Sequence, residues 1–340
     1  MHIEPMDALS AAELPAGPEW QYEPKWDGFR CIAFRNGDEV ELQSKSGQPL
    51  ARYFPDVMES LRSLLAERFT LDGELVIPVN GSLDFNELQL RLHPAASRVN
   101  KLAREHPAVY IVFDLLEDEG GTSLLDKPLR ERRRRLEAFA ARRFGGNPGV
   151  ALSPATGDLE AARRWLRTMG GGLDGIIAKN LDARYEPGER TGAVQKIKNL
   201  RTADCVVGGF RYASKAPLVG SLLLGLYTGD GLLHHVGFTS SIPAAGRPAL
   251  TKKLEAMRRP PGFTGRSPGG PSRWSTERSG EFEPLAPELV VEVQYDHFTG
   301  GRFRHGTKLL RWRPDKAPRQ CTMAQVEQES KSPLGLVASR

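Results

Sequence analysis

Cysteine is scarce in this 340-residue chain, and long apolar segments are missing from it. The three cysteines, Cys31, Cys205 and Cys321, are far apart, so they cannot by themselves supply the four ligands of a structural zinc site. Their small, odd number is typical of the reduced thiols of a cytoplasmic protein. No apolar run approaches the ~20 residues that a membrane helix needs, and residues 1–17 lack the apolar core of a signal peptide. We therefore expect a cytoplasmic protein that has no contact with a membrane.

The charge of the chain is uneven along its length. Hydrophobic residues make up 39% and charged residues 26%, as in ordinary soluble proteins, but the net charge is +5 and the isoelectric point is about 9.1. An excess of positive charge favours a polyanionic partner. Seven arginines between residues 130 and 143 are expected to form a solvated helix face. A second basic cluster, over residues 302–319, contains a single acidic residue, Asp315.

The length of the chain predicts two domains, each able to bury its own core. Strand and helix patterns are mixed without a regular βαβ order, which indicates an α+β fold built on antiparallel sheets. Beyond residue 203, several short strands separated by glycine turns indicate a small barrel or sandwich. We expect a first domain over residues 1–199, an all-β domain over 200–318, and a loose tail or one terminal turn over 319–340.

Hydrophobic periodicity and turn signals locate the elements of the first domain. Asn36–Gly37 is a hairpin signal between two strands, and Asp84 is suited to cap a helix. Pro128 and Asp158 are expected to begin two further helices. The predicted strands cover residues 29–34, 40–43, 69–79 with an interruption at 72–73, 109–113, 175–179 and 194–198, and the first two helices cover 54–65 and 84–92.

Lys25 lies in the segment EPKWDGFR over residues 23–30. A lysine that forms a covalent intermediate must lose its proton, although its ordinary pKa is about 10.4. An apolar wall or a nearby positive charge lowers the pKa of an amine. Because Pro24 and Trp26 flank Lys25, we expect Lys25 to be a nucleophile with a lowered pKa. The simpler alternative is a strand that turns at Gly28 with its charges in water.

Six further segments follow Lys25 along the chain. They are SKSG over residues 44–47, LDGEL over 71–75, YIVFD over 110–114, DGIIAK over 174–179, KIK over 196–198 and RWRPDK over 311–316. In this order the segments resemble the nucleotidyltransferase motifs of ATP-dependent DNA ligases and of the related mRNA capping enzymes. The resemblance covers residues 20–316 and extends in particular to the compact bacterial ligases of the ligase C type and to the ligase domain of bacterial ligase D.

The resemblance implies a nucleotidyltransferase (adenylation) domain followed by a small OB-fold domain. It also implies a DNA ligase that seals nicks between a 5′-phosphate and a 3′-hydroxyl. Lys25 would attack the α-phosphate of ATP, expel pyrophosphate and hold AMP as a phosphoramidate. AMP would pass to the 5′-phosphate of the nick, and the 3′-hydroxyl would displace it. The implied partners are nicked duplex DNA, ATP, and repair or end-joining proteins, for a monomeric enzyme of the bacterial cytosol.

The same resemblance assigns the side chains that bind the nucleoside. Phe113 would stack on the adenine, and Ile177 would supply the opposite wall. Glu23 and Pro24 would read the identity of the base, partly through backbone groups. Arg30 would contact the ribose or a phosphate.

Acidic residues would serve the ribose and a metal ion. Glu74 would accept a hydrogen bond from a ribose hydroxyl. Glu74 and Asp174 are the expected ligands of Mg²⁺, with Mn²⁺ as an alternative, because a hard dication takes oxygen ligands and commonly only one or two carboxylates. Asp27 would add another acid near the leaving group.

Basic residues would hold the phosphates. Lys196 and Lys198 alternate along a strand, so both ammonium groups share one face and could contact a phosphate. We expect Lys198 to take part in catalysis and Lys45 to contact the 5′-phosphate of the nick. In the second domain, Arg313, Asp315 and Lys316 would orient the departing pyrophosphate. The residues implied to contact DNA there are Arg302, Arg304, Lys308 and Arg311.

Three positions depart from the pattern of the family. Asp174 stands where Glu is more frequent, Lys45 where Arg is common, and Gln195 where many members carry an aromatic residue. A lysine offers a point charge in place of the bidentate fork of an arginine. None of these departures removes a charge that the chemistry needs.

Two alternatives remain open on the sequence. An RNA ligase or a GTP-using capping enzyme shares the lysine chemistry. A protein of another class, an OB-fold protein that binds nucleic acid and has a catalytically inactive first domain, shares the second domain. An NAD-dependent ligase is disfavoured, because the chain lacks the length and the cysteines for the additional modules of that family.

Overall fold

The computed structural model of the protein describes residues 2–169, 172–269, 280–327 and 333–337. The chain divides into two compact units. Met1–Asn199 together with Ser330–Arg340 form the first unit, and Leu200–Glu329 form the second. Among the described residues, no helix is both long enough and apolar enough to cross a membrane.

The first unit contains two main sheets, a two-stranded sheet of β6 and β7, and several helices. The strands are β1 (Asp7–Ser10), β2 (Trp20–Pro24), β3 (Phe29–Asn36), β4 (Glu39–Ser44), β5 (Arg68–Val76), β6 (Pro78–Val79), β7 (Ser82–Leu83), β8 (Val109–Glu117), β9 (Val150–Leu152), β10 (Gly175–Asn180) and β11 (Arg190–Lys198). The α-helices are α1 (Pro55–Ser63), α2 (Phe85–Arg91), α3 (Ala96–Glu105), α4 (Leu129–Arg143) and α5 (Leu159–Met169).

The two main sheets of the first unit are largely antiparallel. The larger sheet has the strand order β4-β3-β5-β8-β9, and the smaller has the order β1-β11-β10-β2. Only the pairs β8–β9 and β1–β11 within these two sheets are parallel. The predicted α+β class with antiparallel sheets is therefore confirmed.

The larger sheet is buried on both faces. Cys31 and Ala33 of β3 point into the main core, where α1 and α4 pack, whereas Ile32 belongs to a second cluster that includes Tyr185. Because successive side chains of a strand point to opposite faces, Arg30 shares the face of Ile32. This second face carries the polar groups of the candidate site.

Local sequence signals account for several elements. The predicted β3–β4 hairpin is confirmed, but its turn lies one residue later than the Asn36–Gly37 signal: Gly37 has a φ of +60°, and Asn36 pairs with Glu39, so residues 37–38 form the turn. The side chain of Asp84 accepts a hydrogen bond from the backbone N–H of Asn86 at 2.8 Å, which confirms the predicted cap of α2. The predicted interruption of β5 at residues 72–73 is wrong, because the strand continues there and only its register with β8 shifts.

The arginine-rich helix α4 is not simply a solvated face. Arg132 and Arg133 are 3% and 4% exposed. Arg132 makes a bidentate pair with the buried carboxylate of Asp114, with both N–O distances at 2.9 Å. Arg133 contacts Glu137 and donates to the backbone carbonyl of Ser153. The helix is anchored to β8 by the pair with Asp114, a residue outside its own sequence.

The second unit is predominantly β. Its elements are β12 (Arg201–Ala213), β13 (Ala216–Tyr227), β14 (Leu233–Thr239), α6 (Arg247–Ala256), β15 (Glu283–Pro284), β16 (Val290–Tyr295), β17 (Phe298–Thr299), β18 (Arg302–Phe303) and β19 (Lys308–Trp312). The main sheet has the order β14-β13-β12-β16-β19, its neighbours are antiparallel, and β15 also pairs with β12. This all-β region is consistent with the predicted OB-fold, although α6 was not expected from the sequence.

Where the structure describes the segment after residue 318, it forms turns and is not a loose tail. Short 3₁₀ turns cover Pro318–Gln320 and Met323–Gln325. Cys321, Met323 and Val326 are buried in the core of the second unit. Burial of these apolar side chains holds the segment in place although its overall sequence is polar.

Arg91→Ala should strongly destabilise the first unit. Arg91 is fully buried, and its guanidinium binds the carboxylate of Asp56 and the backbone carbonyls of Tyr53 and His106, so it ties α2 to α1 and to the end of α3. Loss of one partner of a buried ion pair leaves the other uncompensated, and we expect the free energy of unfolding in urea to fall by about 3–5 kcal/mol. The exposed Arg98 on α3 is the matched control, and its replacement by Ala should change that value by less than about 0.5 kcal/mol. Equal effects of the two substitutions would contradict the role given to Arg91.

Candidate active site

A cavity of about 240 Å³ opens between the two sheets of the first unit. The larger sheet lines it with Arg30, Glu74 and Phe113, and the smaller sheet lines it with Glu23 and Lys196, among other residues. Strand pairing explains this convergence. Arg30 lies opposite Glu74 in the β3–β5 ladder. Across the smaller sheet, Glu23, Ile177 and Lys196 form one row, because Ile177 pairs with both of the others.

Lys25 lines the cavity and lies directly after β2. Its backbone N–H donates to the carbonyl of Gly175 at 2.9 Å. Trp26 is buried, and its indole Nε1 donates to the hydroxyl of Ser153 at 3.0 Å. The loop then turns at Gly28, where a Cβ would lie 2.1 Å from the carbonyl oxygen of Leu75. Only glycine therefore allows the segment that carries Lys25 to pack this closely on β5.

The ammonium group of Lys25 pairs with the carboxylate of Asp174. Burial of Lys25 lowers its pKa, but the charge and hydrogen bond of Asp174, followed by the charges of Glu74 and Asp27, outweigh burial and raise the pKa above its ordinary value. The expectation that the pKa of Lys25 is lowered is therefore wrong for this state of the protein. Pro24 and Trp26 are its neighbours in the chain, but carboxylates are its neighbours in space.

Glu74 is the second carboxylate beside Lys25. Its withdrawal from water raises its pKa to about 7, although the nearby charges of Arg30 and Lys25 act in the opposite direction. Its carboxyl group is thus partly protonated near neutral pH and can act as a donor or an acceptor of hydrogen bonds.

The carboxylates fit the requirements of a small hard cation. The charges of Asp174 and Glu74 both stabilise the ammonium group of Lys25. A metal ion near this ammonium group would therefore meet carboxylate oxygens in a region that already stabilises positive charge. Within the described ranges, there is no cluster of three or more acidic, histidine or cysteine side chains that could hold a metal. Mg²⁺ commonly uses one or two carboxylates and completes its shell with water and phosphate oxygens, so two are enough.

Cations surround the aromatic ring of Phe113. The guanidinium carbon of Arg30 lies 4.6 Å from the ring centroid, and the ammonium of Lys179 lies 4.4 Å from it. Lys179 also forms an ion pair with Glu23 at 2.8 Å, and the carboxylate of Glu23 accepts a hydrogen bond from Gln21. The sequence placed Lys179 in a motif but gave it no role. The predicted stacking of adenine between Phe113 and Ile177 stays a prediction.

A basic group lines the side of the cavity formed by β1 and β11. Asp7 on β1 contacts Lys45 at 2.5 Å and Arg190 at 2.7 Å. Lys196 lies nearby, and its pKa is lowered by burial and then by the positive charges of Arg190, Lys25 and Lys45. This concentration of positive charge suits a phosphate group.

Two of the predicted catalytic residues lie outside the cavity wall. Lys198 is exposed at the end of β11 and pairs in the ladder with Gly175, and it does not line the cavity. Asp27 does not line it either, although its charge raises the pKa of both Lys25 and Glu74. The side chains of Lys25, Pro24, Arg30, Glu74, Phe113, Ile177, Lys196, Glu23 and Lys45 line the cavity.

The predicted residues of the second unit form their own contacts. Asp204 accepts hydrogen bonds from Arg313 at 2.8 Å and from Lys316 at 2.7 Å, and Asp315 also contacts Arg313. Arg311 pairs with Glu292. The other predicted DNA contacts lie on or next to the last strands of this unit: Arg302, Arg304 and Lys308.

Sequence reasoning missed the residues that support Arg30. Asp72 is fully buried and receives two hydrogen bonds from Arg30, both at 2.6 Å. Tyr185, outside all the motifs, donates to Asp72 at 2.7 Å. The only sequence signal was the position of Asp72 inside LDGEL, next to Glu74 on the same strand.

Lys25 thus lies beside two carboxylates, in a cavity between largely antiparallel sheets. Residues 4–198 match the family described as the ATP dependent DNA ligase domain, and residues 215–316 match the ATP dependent DNA ligase C terminal region. The chain therefore belongs to the ATP-dependent DNA ligases, as the resemblance in its sequence predicted.

Curated relatives agree with this membership. DNA ligase C2 of Mycolicibacterium smegmatis is 46% identical over 341 residues, which cover 96% of this chain and 94% of the relative. DNA ligase C of Mycobacterium tuberculosis is 43% identical, with the same coverage of both chains. The multifunctional non-homologous end joining DNA repair protein LigD of Mycobacterium tuberculosis is 30% identical over 306 residues. The aligned region covers 88% of this chain and 37% of LigD. A solved structure from a study of Lig E DNA ligases shares the fold, with a TM-score of 0.53 and 18% identity, and covers 91% of this chain and 100% of that one.

Glu74→Gln should flatten the pH dependence of stability. The pKa of Glu74 rises from 4.5 to about 7 on folding, so the folded protein retains a proton that the unfolded chain has lost between these values. The stabilising contribution of this proton is complete below pH 4.5 and disappears as the pH rises through about 7. We expect Glu74→Gln to equal the wild type near pH 4.5 and to exceed its free energy of unfolding by at most about 3 kcal/mol above about pH 8. Urea unfolding at the two pH values is the measurement.

The exposed Glu67 provides the control for this titration. Glu67→Gln should follow the wild-type profile at both pH values. Parallel profiles for Glu74→Gln and the wild type would show that Glu74 titrates at the same pH in the folded and unfolded states.

Proposed function

We propose that the chain seals nicks between a 5′-phosphate and a 3′-hydroxyl in duplex DNA through AMP attached to Lys25. The observation that carries the proposal is the place of Lys25, which lies in the cavity beside Asp174 and Glu74, with Lys196 close enough for the two ammonium groups to influence each other. A lysine so placed has the neighbours that nucleophilic attack on a nucleoside triphosphate requires.

In the first step, the neutral amine of Lys25 attacks the α-phosphorus of ATP. A nitrogen–phosphorus bond forms, the bond to the bridging oxygen of the β-phosphate breaks, and pyrophosphate leaves. Asp174 is the group in direct contact with the ammonium of Lys25 and is therefore the first acceptor available for its proton. Glu74 binds a ribose hydroxyl, and Lys196 neutralises phosphate charge.

The base and the sugar occupy the inner part of the cavity. Phe113 and Ile177 enclose the adenine, Glu23 and Pro24 read it, and Arg30 contacts the ribose or a phosphate. In support of this arrangement, all five side chains line the cavity.

Asp174 and Glu74 are the residues that would hold Mg²⁺ or Mn²⁺. When bound, such an ion supplies Lewis-acid neutralisation of phosphate charge. Asp27 contributes negative charge near the same position, and its effects on the pKa of Lys25 and of Glu74 support this proximity.

The second and third steps transfer AMP and seal the strand. An oxygen of the 5′-phosphate attacks the phosphorus of AMP and releases Lys25, and the 3′-hydroxyl then attacks the activated 5′-phosphate and releases AMP. We propose that Lys45 contacts the 5′-phosphate and exchanges its present partner Asp7 for it. Lys198, exposed at the end of β11, has access to a phosphate that arrives from solvent.

The second unit acts on the leaving group and on DNA in this proposal. Arg313, Asp315 and Lys316 orient pyrophosphate, and Asp204 keeps the two cations side by side in its absence. Binding to the DNA backbone falls to the basic residues of the last strands: Arg302, Arg304, Lys308 and Arg311. The first unit and the second unit, Leu200–Glu329, serve these two groups of roles.

We also propose a cellular role in DNA repair for a monomeric, cytoplasmic enzyme. The names of the relatives support repair, because the mycobacterial LigD proteins are described as acting in non-homologous end joining. Partner proteins of a repair or end-joining pathway are part of this proposal.

Lys25→Ala should abolish both AMP attachment and nick sealing. The substitution removes the only group that forms the bond to AMP, so we expect both rates to fall by at least about 10³-fold. Incubation with α-labelled ATP and Mg²⁺ reports the covalent adduct on a denaturing gel, and a nicked DNA duplex then reports sealing. Lys101→Ala, on the exposed side of α3, is the control and should retain both activities.

The same assay separates the other classes of protein. Uptake of GTP in preference to ATP, or sealing of nicked RNA but not nicked DNA, would indicate a capping enzyme or an RNA ligase. A wild-type protein that binds DNA but never takes up AMP would be a nucleic-acid-binding protein without catalysis. Ligation retained by Lys25→Ala would overturn the lysyl-AMP mechanism.

A further inference from the structure

The hydroxyl group of Tyr185 is part of a closed ring of hydrogen bonds at the wall of the cavity. Tyr185 is 4% exposed and follows β10, outside every motif of the sequence. The backbone N–H of Met6 donates to its hydroxyl at 3.1 Å, and the hydroxyl donates to Oδ2 of Asp72 at 2.7 Å. Arg30 donates to both oxygens of Asp72 and, at 3.4 Å, to the backbone carbonyl of Met6, which closes the ring.

The hydrogen bond from Tyr185 helps to fix the carboxylate of Asp72, which accepts the hydrogen bonds of Arg30. Its carboxylate is fully buried, and its two oxygens receive the two parallel N–H groups of the guanidinium, each at 2.6 Å. A bidentate pair fixes the plane of the guanidinium only when the plane of the carboxylate is itself fixed. The hydroxyl of Tyr185 occupies a further acceptor site on Oδ2 and opposes rotation of the carboxylate.

The position of Arg30 matters because its guanidinium reaches the cavity. Its carbon lies 4.6 Å from the centroid of Phe113, and both side chains line the space proposed for the nucleotide. Met6, Asp7 and Tyr185 line the same space, so the ring of hydrogen bonds also joins the start of β1 to the opposite sheet.

We propose that Tyr185 is a positioning residue that fixes Asp72 and, through it, holds the guanidinium of Arg30 over Phe113, so that the cavity is formed before ATP enters. The inference rests on the proposed function, in which Arg30 contacts the ribose or a phosphate of ATP. Preorganisation of a binding group reduces the ordering cost of ligand binding, so Tyr185 acts on the affinity for ATP more than on the chemical step.

A purely structural role of Tyr185 is the alternative to test. Its ring packs in a cluster with Met6 and Ile32, and the guanidinium carbon of Arg132 lies 5.7 Å from its centroid. Phenylalanine retains this ring and its packing and removes only the hydroxyl. Tyr185→Phe therefore separates the hydrogen-bonding role from the packing role.

The first measurement is the dependence of AMP attachment on ATP concentration in the full-length chain. Tyr185→Phe should raise the KM for ATP about tenfold, the effect of one hydrogen bond to a charged group, and should change the rate at saturating ATP less than about twofold. Tyr22→Phe is the control, since Tyr22 is also buried and its hydroxyl donates to the carbonyl of Pro15; neither of these two residues lines the cavity. The KM of the control should equal that of the wild type. An unchanged KM in Tyr185→Phe, with or without a lower melting temperature, would overturn the inference.

A double-mutant cycle with Arg30→Lys tests whether Tyr185 acts through Arg30. Lysine keeps the charge that Asp72 needs but has no guanidinium plane to be oriented. Tyr185→Phe should therefore change the KM less than about twofold in the Arg30→Lys background. A tenfold effect in both backgrounds would show that Tyr185 acts independently of Arg30 and would overturn the inference.

The outcomes also distinguish this inference from the proposed function. A wild-type protein that forms no AMP adduct removes both. Formation of the adduct by the wild type but not by Lys25→Ala, combined with a wild-type KM in Tyr185→Phe, leaves the proposed function intact and removes only the role of Tyr185.

Discussion

The pairing of the Lys25 ammonium with the Asp174 carboxylate is the interaction on which the site depends. An unpaired ammonium withdrawn from water would be costly, and Asp174 compensates for that cost. A backbone hydrogen bond places Asp174 beside Lys25, because the N–H of Lys25 donates to the carbonyl of Gly175, which directly follows Asp174 in the chain. The pairing with Asp174 raises the pKa of Lys25, so this side chain is an ammonium in the free protein. The proposed attack on ATP therefore requires that Lys25 first lose its proton.

The two-sheet framework makes this pairing possible. The larger sheet buries one face in the main core and turns the other toward the smaller sheet, so that polar groups from both sheets converge on one cavity. Asp72 accepts hydrogen bonds from Arg30 and from the hydroxyl of Tyr185. The charge of Arg30 is thus held by the buried partners Asp72 and Tyr185, which limits rearrangement when the proposed nucleotide binds.

Much of the framework could be predicted from local signals, whereas the electrostatics could not. Apolar periodicity, the turn signal before the β3–β4 hairpin and the cap at Asp84 predicted several elements, since these depend on neighbouring residues, but β1, α3 and β9 were not predicted. The motifs contain about half of the residues that line the cavity. The direction of the pKa shift of Lys25 was wrong because its partner Asp174 lies 149 positions away. For the same reason the burial of Arg132 on Asp114 was missed, since a run of arginines shows charge but not where its partners lie. The packed segment after residue 318 was missed because its few apolar residues follow no period.

The protonation state of Lys25 in the free protein tests the central claim most directly. Lysine labelled with ¹⁵N at Nζ can be titrated by NMR, with the Lys25 signal assigned by its loss in Lys25→Ala. The ion pair with Asp174 predicts that Lys25 remains an ammonium up to and beyond the ordinary pKa of 10.5, and that Asp174→Asn lowers its midpoint. A titration midpoint of Lys25 well below the ordinary pKa in the wild type, unchanged by Asp174→Asn, would contradict the account. It would show that the amine of Lys25 is already neutral before ATP binds.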